Sequence, residues 1–160
     1  MTTSALDTHA TGRVSLAAEV PGIYQAMLRL DKAVADTPLE RPLKELVRIR
    51  ASQINGCAYC LDMHTLDARS IGESEQRIYA LPAWREAPFF TARERAALEL
   101  TEAMTLVHQG HVPDQVYAVA AAQFDAAELA QLAWLIIVIN AWNRMAITAR
   151  SVPGEYDPSA

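Results

Sequence analysis

The sequence predicts an all-α protein of about seven helices. Apolar residues recur at spacings of three and four along most of the chain, and no alternating apolar–polar pattern bounded by hairpin turns occurs. The chain has 160 residues, of which 51% are hydrophobic and 21% charged. This size and composition are typical of one soluble globular domain that can bury a core. We expect a flexible N-terminal arm over residues 1–18, a single domain over residues 19–150 and a C-terminal tail over residues 151–160.

The N-terminal half contains four predicted helices, separated by helix-stop signals. The first helix begins at Pro21, which the first turn of a helix tolerates, and ends at Thr37-Pro38. Asn55-Gly56, Gly72 and Pro82 are the stop signals that follow. They delimit helices over residues 39–54, 57–71 and 74–81, and a loop over residues 82–90.

The C-terminal half contains three more predicted helices. Thr91 with Glu94 forms a capping box that opens the fifth helix, which reaches about His108. Pro113 opens the sixth helix, and Asp125 with Glu128 opens the last, which runs from about Ala126 to Thr148. The middle of the last helix is apolar on every face, so we expect it to be buried in the domain or in an oligomer.

Charge and hydropathy exclude several classes of partner. The 14 Lys and Arg residues against 19 Asp and Glu residues give a formal net charge of −5, so we expect neither nucleic acid nor an anionic membrane surface as a partner. The longest apolar run is Leu132–Ile139, whereas a membrane span needs about 20 residues. The N-terminus resembles no signal peptide. With only two cysteines, the chain is not a secreted disulfide scaffold, and we expect a cytoplasmic protein.

The functional information is concentrated between Glu45 and His64. Cys57 and Cys60 form a Cys-x-x-Cys pair at a predicted helix N-terminus, where the thiols lie one turn apart and the helix dipole favours the thiolate. His64 follows Cys60 by one helical turn, so both lie on one face, and an imidazole there can relay a proton near neutral pH. A helix, a glycine turn and a returning helix would bring Glu45 beside the pair, where its carboxylate could orient His64 or accept a thiol proton.

Other interpretations of these residues exist. A zinc site could use Cys57, Cys60 and His64 with His108 or His111, but three ligands in the first turns of one helix are crowded and no second cysteine pair exists. The cysteines could also be inert buried residues. Polar residues that interrupt the last helix need partners, and they could bond across a subunit interface or line the site. They are Asn140, Asn143 and Arg144.

The register of Glu45, Cys57-x-x-Cys60 and His64 resembles the core motif of the alkylhydroperoxidase AhpD-like group within the carboxymuconolactone decarboxylase superfamily. The likeness spans about residues 43–107, and the segment Ile139–Arg144 resembles the last helix of that group. The resemblance implies an AhpD-like all-helical domain that assembles as a homo-oligomer, from a dimer to a hexamer.

The resemblance also implies residue roles. Cys60 would be the peroxidatic cysteine that becomes a sulfenic acid, Cys57 its resolving partner, and His64 with Glu45 the proton relay. The substrate would be a hydroperoxide and the reductant an external dithiol, thioredoxin-like or lipoyl. No flavin, haem or nicotinamide motif is present, so no cofactor is expected. Tyr59 stands where some peroxidase members have a second relay histidine, which would shorten the relay.

The favoured function is therefore a thiol-dependent peroxidase of the alkyl hydroperoxide reductase type. One alternative is a redox-sensing or structural oligomeric module in which the same disulfide switches a contact without turnover. Another is a lactone decarboxylase of the carboxymuconolactone decarboxylase type. This activity is less consistent with the sequence, because that branch of the superfamily generally lacks the cysteine pair.

Overall fold

The computed structural model describes residues 13–159, and every regular element in that range is helical. This confirms the all-α prediction, with eight α-helices among the described residues where about seven were expected. They are α1 (Leu16–Glu19), α2 (Pro21–Ala35), α3 (Arg41–Asn55), α4 (Ala58–Ser70), α5 (Glu75–Ala80), α6 (Ala92–Thr105), α7 (Asp114–Ala121) and α8 (Ala126–Ala149). Short 3₁₀ turns follow α5 at Leu81–Ala83 and α6 at Val107–Gln109.

The structure differs from the sequence prediction at two helix ends. Leu16–Glu19 form a single helical turn inside the predicted N-terminal arm, capped by the side chain of Ser15, while residues 1–12 of that arm lie outside the described residues. Helix α6 ends at Thr105 rather than near His108. A 3₁₀ turn at Val107–Gln109 replaces the last predicted turn of the helix, and the positive φ angles of Gly110 and His111 then end the helical backbone.

Helices α3 and α8 form the centre of the domain. Helix α3 packs against α4, α6 and α8, and α8 also contacts α2, α4, α6 and α7. One face of α3, with Leu43 and Val47, packs into the core around α8. The other face packs beneath α5 and the loop that follows it, where Trp84 and Phe90 are buried. Helix α3 is therefore held on both faces, which fixes the helix that carries Glu45.

Helix α8 is long and apolar enough, by length and composition alone, to cross a membrane. Half of its apolar window is buried inside the domain, which is the packing of a core helix. The remainder exposes a stripe of apolar side chains: Trp134 is 52% and Ile137 46% exposed. The prediction that its middle is buried therefore holds on one side of the helix, and the opposite side presents an apolar surface.

A buried network of amides joins the end of α3 to α8. Asn55 Nδ2 donates to Asn140 Oδ1 at 2.9 Å and to Asn143 Oδ1 at 2.8 Å. Asn143 Nδ2 in turn donates to Ser52 Oγ at 3.0 Å, and Asn140 Nδ2 to Thr105 Oγ1 at 3.0 Å. The polar residues that interrupt α8 thus find partners within the chain, which fix α8 against the turn leading to Cys57.

The buried Lys44 links α2 to α3. Its Nζ donates to the carbonyl oxygens of Ala35 at 2.8 Å and Thr37 at 2.7 Å, which lie at the C-terminal end of α2. Burial lowers the pKa of Lys44, and the charge of Arg48 lowers it further. A lysine at a helix C-terminus satisfies carbonyl groups that have no partner within the helix. The contact holds α2 beside the site described below.

Candidate functional site

The cysteine pair lies where the chain turns from α3 into α4. Gly56 ends α3 in the left-handed region at φ 69°, a conformation that glycine adopts without steric cost. Cys57 is the N-cap residue of α4, and its Sγ accepts a hydrogen bond from the backbone N–H of Cys60 at 3.3 Å. The turn reverses the chain, so α4 returns along α3 as the sequence predicted, and both sulfur atoms sit at a helix N-terminus.

Cys57 and Cys60 form a disulfide in this structure, with their Cα atoms 5.4 Å apart. The two residues are 1% and 2% exposed, so the sulfur atoms are enclosed by protein. Ala146 of α8 packs against them, with Tyr59 at the edge. The pair is therefore geometrically able to exist as the oxidised half of a dithiol–disulfide couple.

The structure brings His64 and Glu45 together, as the sequence predicted. His64 Nδ1 lies 3.0 Å from Glu45 Oε2, and both residues are buried. Arg48, one turn after Glu45 on α3, donates from Nη1 to Glu45 Oε1 at 2.7 Å. The carboxylate is thus held between an imidazole and a guanidinium, and its orientation is fixed from both sides.

Asp67 and Tyr156 extend this arrangement, and neither was singled out from the sequence. Asp67 Oδ2 lies 3.7 Å from His64 Nδ1, and the hydroxyl of Tyr156 donates to Asp67 Oδ1 at 2.7 Å. The backbone N–H of Gly154 donates to Asp62 Oδ2 at 2.8 Å. The C-terminal tail therefore lies along α4, and its tyrosine holds the carboxylate that lies near His64.

The paired charges shift the pKa values in opposite directions. Burial opposes ionisation of His64, but the hydrogen bonds and charges of Asp67 and Glu45 outweigh it and raise the pKa of His64 above 6.5. Burial likewise opposes the charge on Glu45, yet the hydrogen bond and charge of His64, with Arg48, hold the pKa of Glu45 below 4.5. The pKa of Asp67 is lowered in the same way. These shifts favour the charged forms of all three groups, and both carboxylates lie at Nδ1 of the imidazole.

A cavity of about 210 Å³ opens beside Cys60 and His64. Its walls come from α2, α3, α4 and α8 and are mainly apolar or aromatic. Tyr24 of α2 packs edge-to-face on Trp142 of α8, with ring centroids 5.9 Å apart. The apolar and aromatic lining residues are Tyr24, Leu28, Tyr59, Met63, Ile139, Trp142, Met145 and Ala146.

Two charged residues complete the cavity wall. Arg48 Nη2 lies 4.0 Å from Asp31 Oδ1 of α2, and both residues line the cavity. Arg48 therefore contacts Glu45 through Nη1 and Asp31 through Nη2, and its side chain lines the cavity. A small organic molecule in the cavity would meet an apolar enclosure, one cysteine, one imidazole, one guanidinium and one carboxylate. Few polar groups in an apolar pocket are typical of a small-molecule site.

The zinc ligand set considered from the sequence does not assemble. Both cysteines are in the disulfide, and His111 lines a different cavity together with Glu102. Glu45, His64 and Asp67 do present three ligand atoms within 4.8 Å of one another. However, Arg48 already donates a hydrogen bond to the carboxylate of Glu45, and Tyr156 donates one to the carboxylate of Asp67. A fixed guanidinium beside a carboxylate opposes a divalent cation by charge repulsion.

The sequence profile of the carboxymuconolactone decarboxylase family matches residues 21–103, which contain α2 to α5, most of α6 and all four predicted site residues. The chain belongs to the carboxymuconolactone decarboxylase family. The uncharacterised protein YdfG of Bacillus subtilis is 44% identical over 135 residues, which are 84% of this chain and 92% of YdfG.

Solved structures of AhpD-like proteins share the fold. A protein of unknown function from Agrobacterium tumefaciens, with a suggested role in antioxidant defence as an AhpD protein, is 36% identical at a TM-score of 0.87. The match covers 91% of this chain and 100% of that one. The AhpD core of a peroxidase-related protein from Ralstonia eutropha JMP134 is 19% identical at a TM-score of 0.76, covering 88% and 75% of the two chains. This second likeness shows the fold alone.

The sequence signal for the additional site residues differs from one residue to the next. In this member of the carboxymuconolactone decarboxylase family, Arg48 follows Glu45 by three residues and Asp67 follows His64 by three, which is a helical pairing distance. Helical spacing alone could therefore have indicated both. Tyr156 is 89 residues from Asp67, in a tail without periodicity, and nothing in the sequence predicts their contact.

Proposed function

We propose that this protein is a thiol-dependent peroxidase that reduces organic hydroperoxides through Cys57 and Cys60. The observation that carries the proposal is the shared cavity of Cys60 and His64, with Glu45 hydrogen-bonded behind the imidazole. The same arrangement supplies an enclosed apolar volume for the substrate, a sulfur nucleophile at a helix N-terminus and a proton donor. The AhpD-like relatives support the proposal without assigning the reaction to this chain.

In the oxidative step the reduced protein acts through Cys60. Its thiolate attacks the terminal oxygen of the hydroperoxide, an S–O bond forms, the O–O bond breaks, and Cys60 becomes a sulfenic acid. The leaving alkoxide takes a proton from the His64 imidazolium and departs as an alcohol. Glu45 stabilises the imidazolium before the reaction. Because its carboxylate faces Nδ1, the proton on the other ring nitrogen is the one that His64 donates to the alkoxide.

In the resolving step Cys57 closes the disulfide. Its thiol attacks the sulfenic sulfur of Cys60, the S–S bond forms, and the hydroxyl leaves as water with one proton. An external dithiol then returns two electrons by thiol–disulfide exchange and leaves as its own disulfide. The oxidised pair described above is the product of the resolving step and the substrate of the reduction.

Tyr59 takes no part in this proton relay. Burial raises the pKa of its phenol, which therefore stays protonated at neutral pH. The proton relay therefore ends at His64. In peroxidases that have a second histidine at the position of Tyr59, that histidine would form a further step of the relay. We therefore propose that Tyr59 shapes the cavity and that proton transfer depends on His64 and Glu45.

Two further features belong to the proposal. We expect a cytoplasmic protein, because the cycle needs a reduced thiol pool to regenerate the dithiol. We also expect a homo-oligomer, because Trp134 and Ile137 leave an apolar stripe of α8 exposed on the single chain. No nucleic acid or membrane is needed as a partner.

The test is steady-state consumption of cumene hydroperoxide with dithiothreitol as reductant, at catalytic protein concentration. A peroxidase consumes many equivalents of peroxide per chain, with formation of cumyl alcohol. The matched control is Cys60→Ser, which retains Cys57. A single equivalent consumed per chain, with no further turnover, would identify a redox sensor instead. Turnover equal in the control would remove Cys60 from the reaction.

A further inference from the structure

The disulfide borders two separate openings in the protein surface. Cys60 lines the cavity described above, and Cys57 does not. Cys57 lines a second opening, a groove of about 280 Å³, and Cys60 does not, while Tyr59 and Ala146 line both. The groove is formed by the turn before α4 and the C-terminal end of α8, with Gly56, Ala58, Ile147, Arg150 and Ser151 around Cys57. Each sulfur atom thus borders its own opening.

The groove contains one cationic side chain without an ion pair and borders one buried hydroxyl without a partner among the described residues. Arg150 forms no ion pair with any residue in the range 13–159, in contrast to Arg48 and Arg50, which are both paired. The hydroxyl oxygen of Ser151 is buried and has no hydrogen-bond partner among the described residues. The N-terminus of α4 adds the partial positive charge of the helix dipole. Arg150 and the N-terminus of α4 favour an anion near Cys57, and the C-terminal end of α8 opposes it with a smaller partial charge.

Arg150 occupies a backbone conformation that side chains rarely adopt. It ends α8 in the left-handed region at φ 52°, and the N–H of Ser151 closes the turn on the carbonyl of Ala146 at 3.0 Å. Glycine is the usual residue at such a helix end because other side chains are strained there. Arg150 therefore holds a cationic side chain at a strained position, in the groove that Cys57 lines. Such strained positions cluster at functional sites.

We propose that this groove is the entry site of the reducing dithiol, which attacks Cys57 as a thiolate guided by Arg150. The proposal rests on the proposed function. The incoming sulfur forms a bond to Cys57 Sγ while the Cys57–Cys60 bond breaks, and Cys60 leaves as a thiolate. The second thiol of the reductant then attacks the mixed disulfide, releases the Cys57 thiolate and closes the reductant's own disulfide. Two electrons pass from the dithiol to the protein.

The direction of attack follows from the geometry of exchange. A thiolate approaches a disulfide along the S–S axis, on the side opposite the leaving sulfur. The groove lies beside Cys57, so an attacker there expels Cys60 towards the cavity. Cys60 is one helical turn from His64, whose imidazolium can stabilise or protonate the leaving thiolate. Hydroperoxide and reductant would therefore reach the same bond through different openings, the first beside Cys60 and the second beside Cys57.

The depth of Cys57 selects the kind of reductant. Its side chain is 1% exposed and forms part of the groove wall, so only a slender molecule can reach the sulfur. A linear alkyl dithiol fits that requirement, whereas a dithiol on the surface of a folded protein would need the groove to open. We therefore assign the groove to an alkyl dithiol, and reduction by a thioredoxin-type protein is an outcome of the test.

The first experiment locates the attacked sulfur. Disulfide-form protein is mixed with the monothiol 2-mercaptoethanol, quenched with acid at early times, alkylated with iodoacetamide and mapped by mass spectrometry. The expected product carries the mercaptoethanol adduct on Cys57 and the alkyl group on Cys60. The reverse labelling, with the adduct on Cys60, would overturn the proposal.

The second experiment measures the role of Arg150. Reduction of the disulfide form by dihydrolipoamide is followed in wild type, Arg150→Asn, Arg150→Lys and, as a charge-matched control, Arg41→Asn at the opposite end of α3. We expect Arg150→Asn to slow reduction about tenfold, with the lysine variant and the control close to wild type. The deficit should shrink as ionic strength rises from about 0.05 to about 0.5 M.

A structural role for Arg150 predicts a different pattern. Asparagine tolerates the left-handed conformation better than arginine, so Arg150→Asn should unfold at an equal or higher urea concentration while its reduction slows. Slow reduction with a parallel loss of stability, or an unchanged rate, would overturn the proposal. So would faster reduction of the wild type by a thioredoxin-type protein than by dihydrolipoamide. Because the reaction starts from the disulfide form, its outcome is independent of whether the protein consumes peroxide.

Discussion

His64 Nδ1 and Glu45 Oε2 lie 3.0 Å apart, although the residues belong to different helices and are 19 positions apart in the chain. The contact is buried, and Arg48 and Asp67 stand on either side of it. A buried imidazole with two carboxylates near one nitrogen carries its proton on that nitrogen, so its other nitrogen is the one free to serve a reacting group. This contact sets the protonation state of the proposed site.

The first prediction concerns the pKa of His64. Glu45→Gln removes one negative charge that faces Nδ1 and should lower the pKa of His64. Burial disfavours the charged imidazole, and in the variant the charge of Glu45 no longer opposes that effect. The measurement is a ¹⁵N NMR titration of the imidazole in the oxidised protein, where no thiol titrates. Glu99→Gln, on the surface of α6, is the charge-matched control. An identical His64 titration in Glu45→Gln and wild type would contradict the prediction.

The same pair determines a pH dependence of stability. Folding raises the pKa of His64, so its contribution is complete below about 6.5 and is lost as the pH rises through the folded value. Folding lowers the pKa of Glu45, so its contribution is complete above about 4.5 and is lost as the pH falls through the folded value. The excess stability of wild type over Glu45→Gln should therefore be greatest between about pH 4.5 and 6.5 in urea unfolding.

The second prediction concerns the cysteines. Cys57→Ser should allow one peroxide equivalent to react and leave a sulfenic acid on Cys60, because no resolving thiol remains. Cys60→Ser should abolish the reaction, and His64→Ala should slow it by roughly 10²–10⁴-fold. Dimedone labelling with peptide mapping identifies the modified residue. Sulfenic acid found on Cys57 of wild type before the disulfide forms would reverse the assigned roles.

The third prediction concerns the C-terminal tail. Tyr156→Phe removes the hydrogen bond to Asp67 and should lower the free energy of unfolding by about 1 kcal/mol. The pKa of Asp67 should rise at the same time, because the phenol no longer stabilises its charge. Urea unfolding and carboxyl ¹³C titration measure the two effects. Tyr117→Phe, at an exposed position on α7, should change neither, and an Asp67 titration unaffected by Tyr156→Phe would mean that the tail does not hold the relay.

The fourth prediction concerns the amide network between α3 and α8. Asn55→Ala removes the donor to Asn143 Oδ1, and Asn143 is fully buried. An orphaned buried acceptor costs about 1–3 kcal/mol, which urea unfolding should detect. Gln25→Ala on the exposed face of α2 is the control. A loss below about 0.5 kcal/mol would mean that water replaces the missing donor.

The fifth prediction concerns assembly through the exposed stripe of α8. Light scattering of wild type should give a multiple of the 17.6 kDa chain mass. Ile137→Lys should dissociate the assembly with helicity retained, because Ile137 is exposed on the single chain and tolerates a charge there. Tyr79→Lys alters a more exposed aromatic position on α5 and should leave the mass unchanged. A monomeric wild type would contradict the expectation of an oligomer.

Local signals in the sequence predicted most helix boundaries and the core of the site. Asn55-Gly56 indicated the turn, and that turn is what places Glu45 beside His64. The sequence placed the end of α6 too late because Val107 continues the apolar spacing of the helix. In the structure Val107 belongs to the 3₁₀ turn after α6, and the backbone then turns at Gly110 and His111. Local spacing cannot indicate a backbone turn that depends on the packing of the following segment. For the same reason the contact between Tyr156 and Asp67 was not foreseen.

The short spacing of the two cysteines has a thermodynamic consequence. Their disulfide closes a loop in which the partners are separated by three positions. On a chain-entropy model such a loop stabilises the folded state by about 2 kcal/mol, compared with about 4.7 kcal/mol for a loop of 100 residues. Oxidation therefore restricts one helical turn of the unfolded chain and leaves the rest of it as free as before. On this model, reduction of the pair lowers the free energy of unfolding by about 2 kcal/mol, so the dithiol form of the domain is less stable than the disulfide form by that amount.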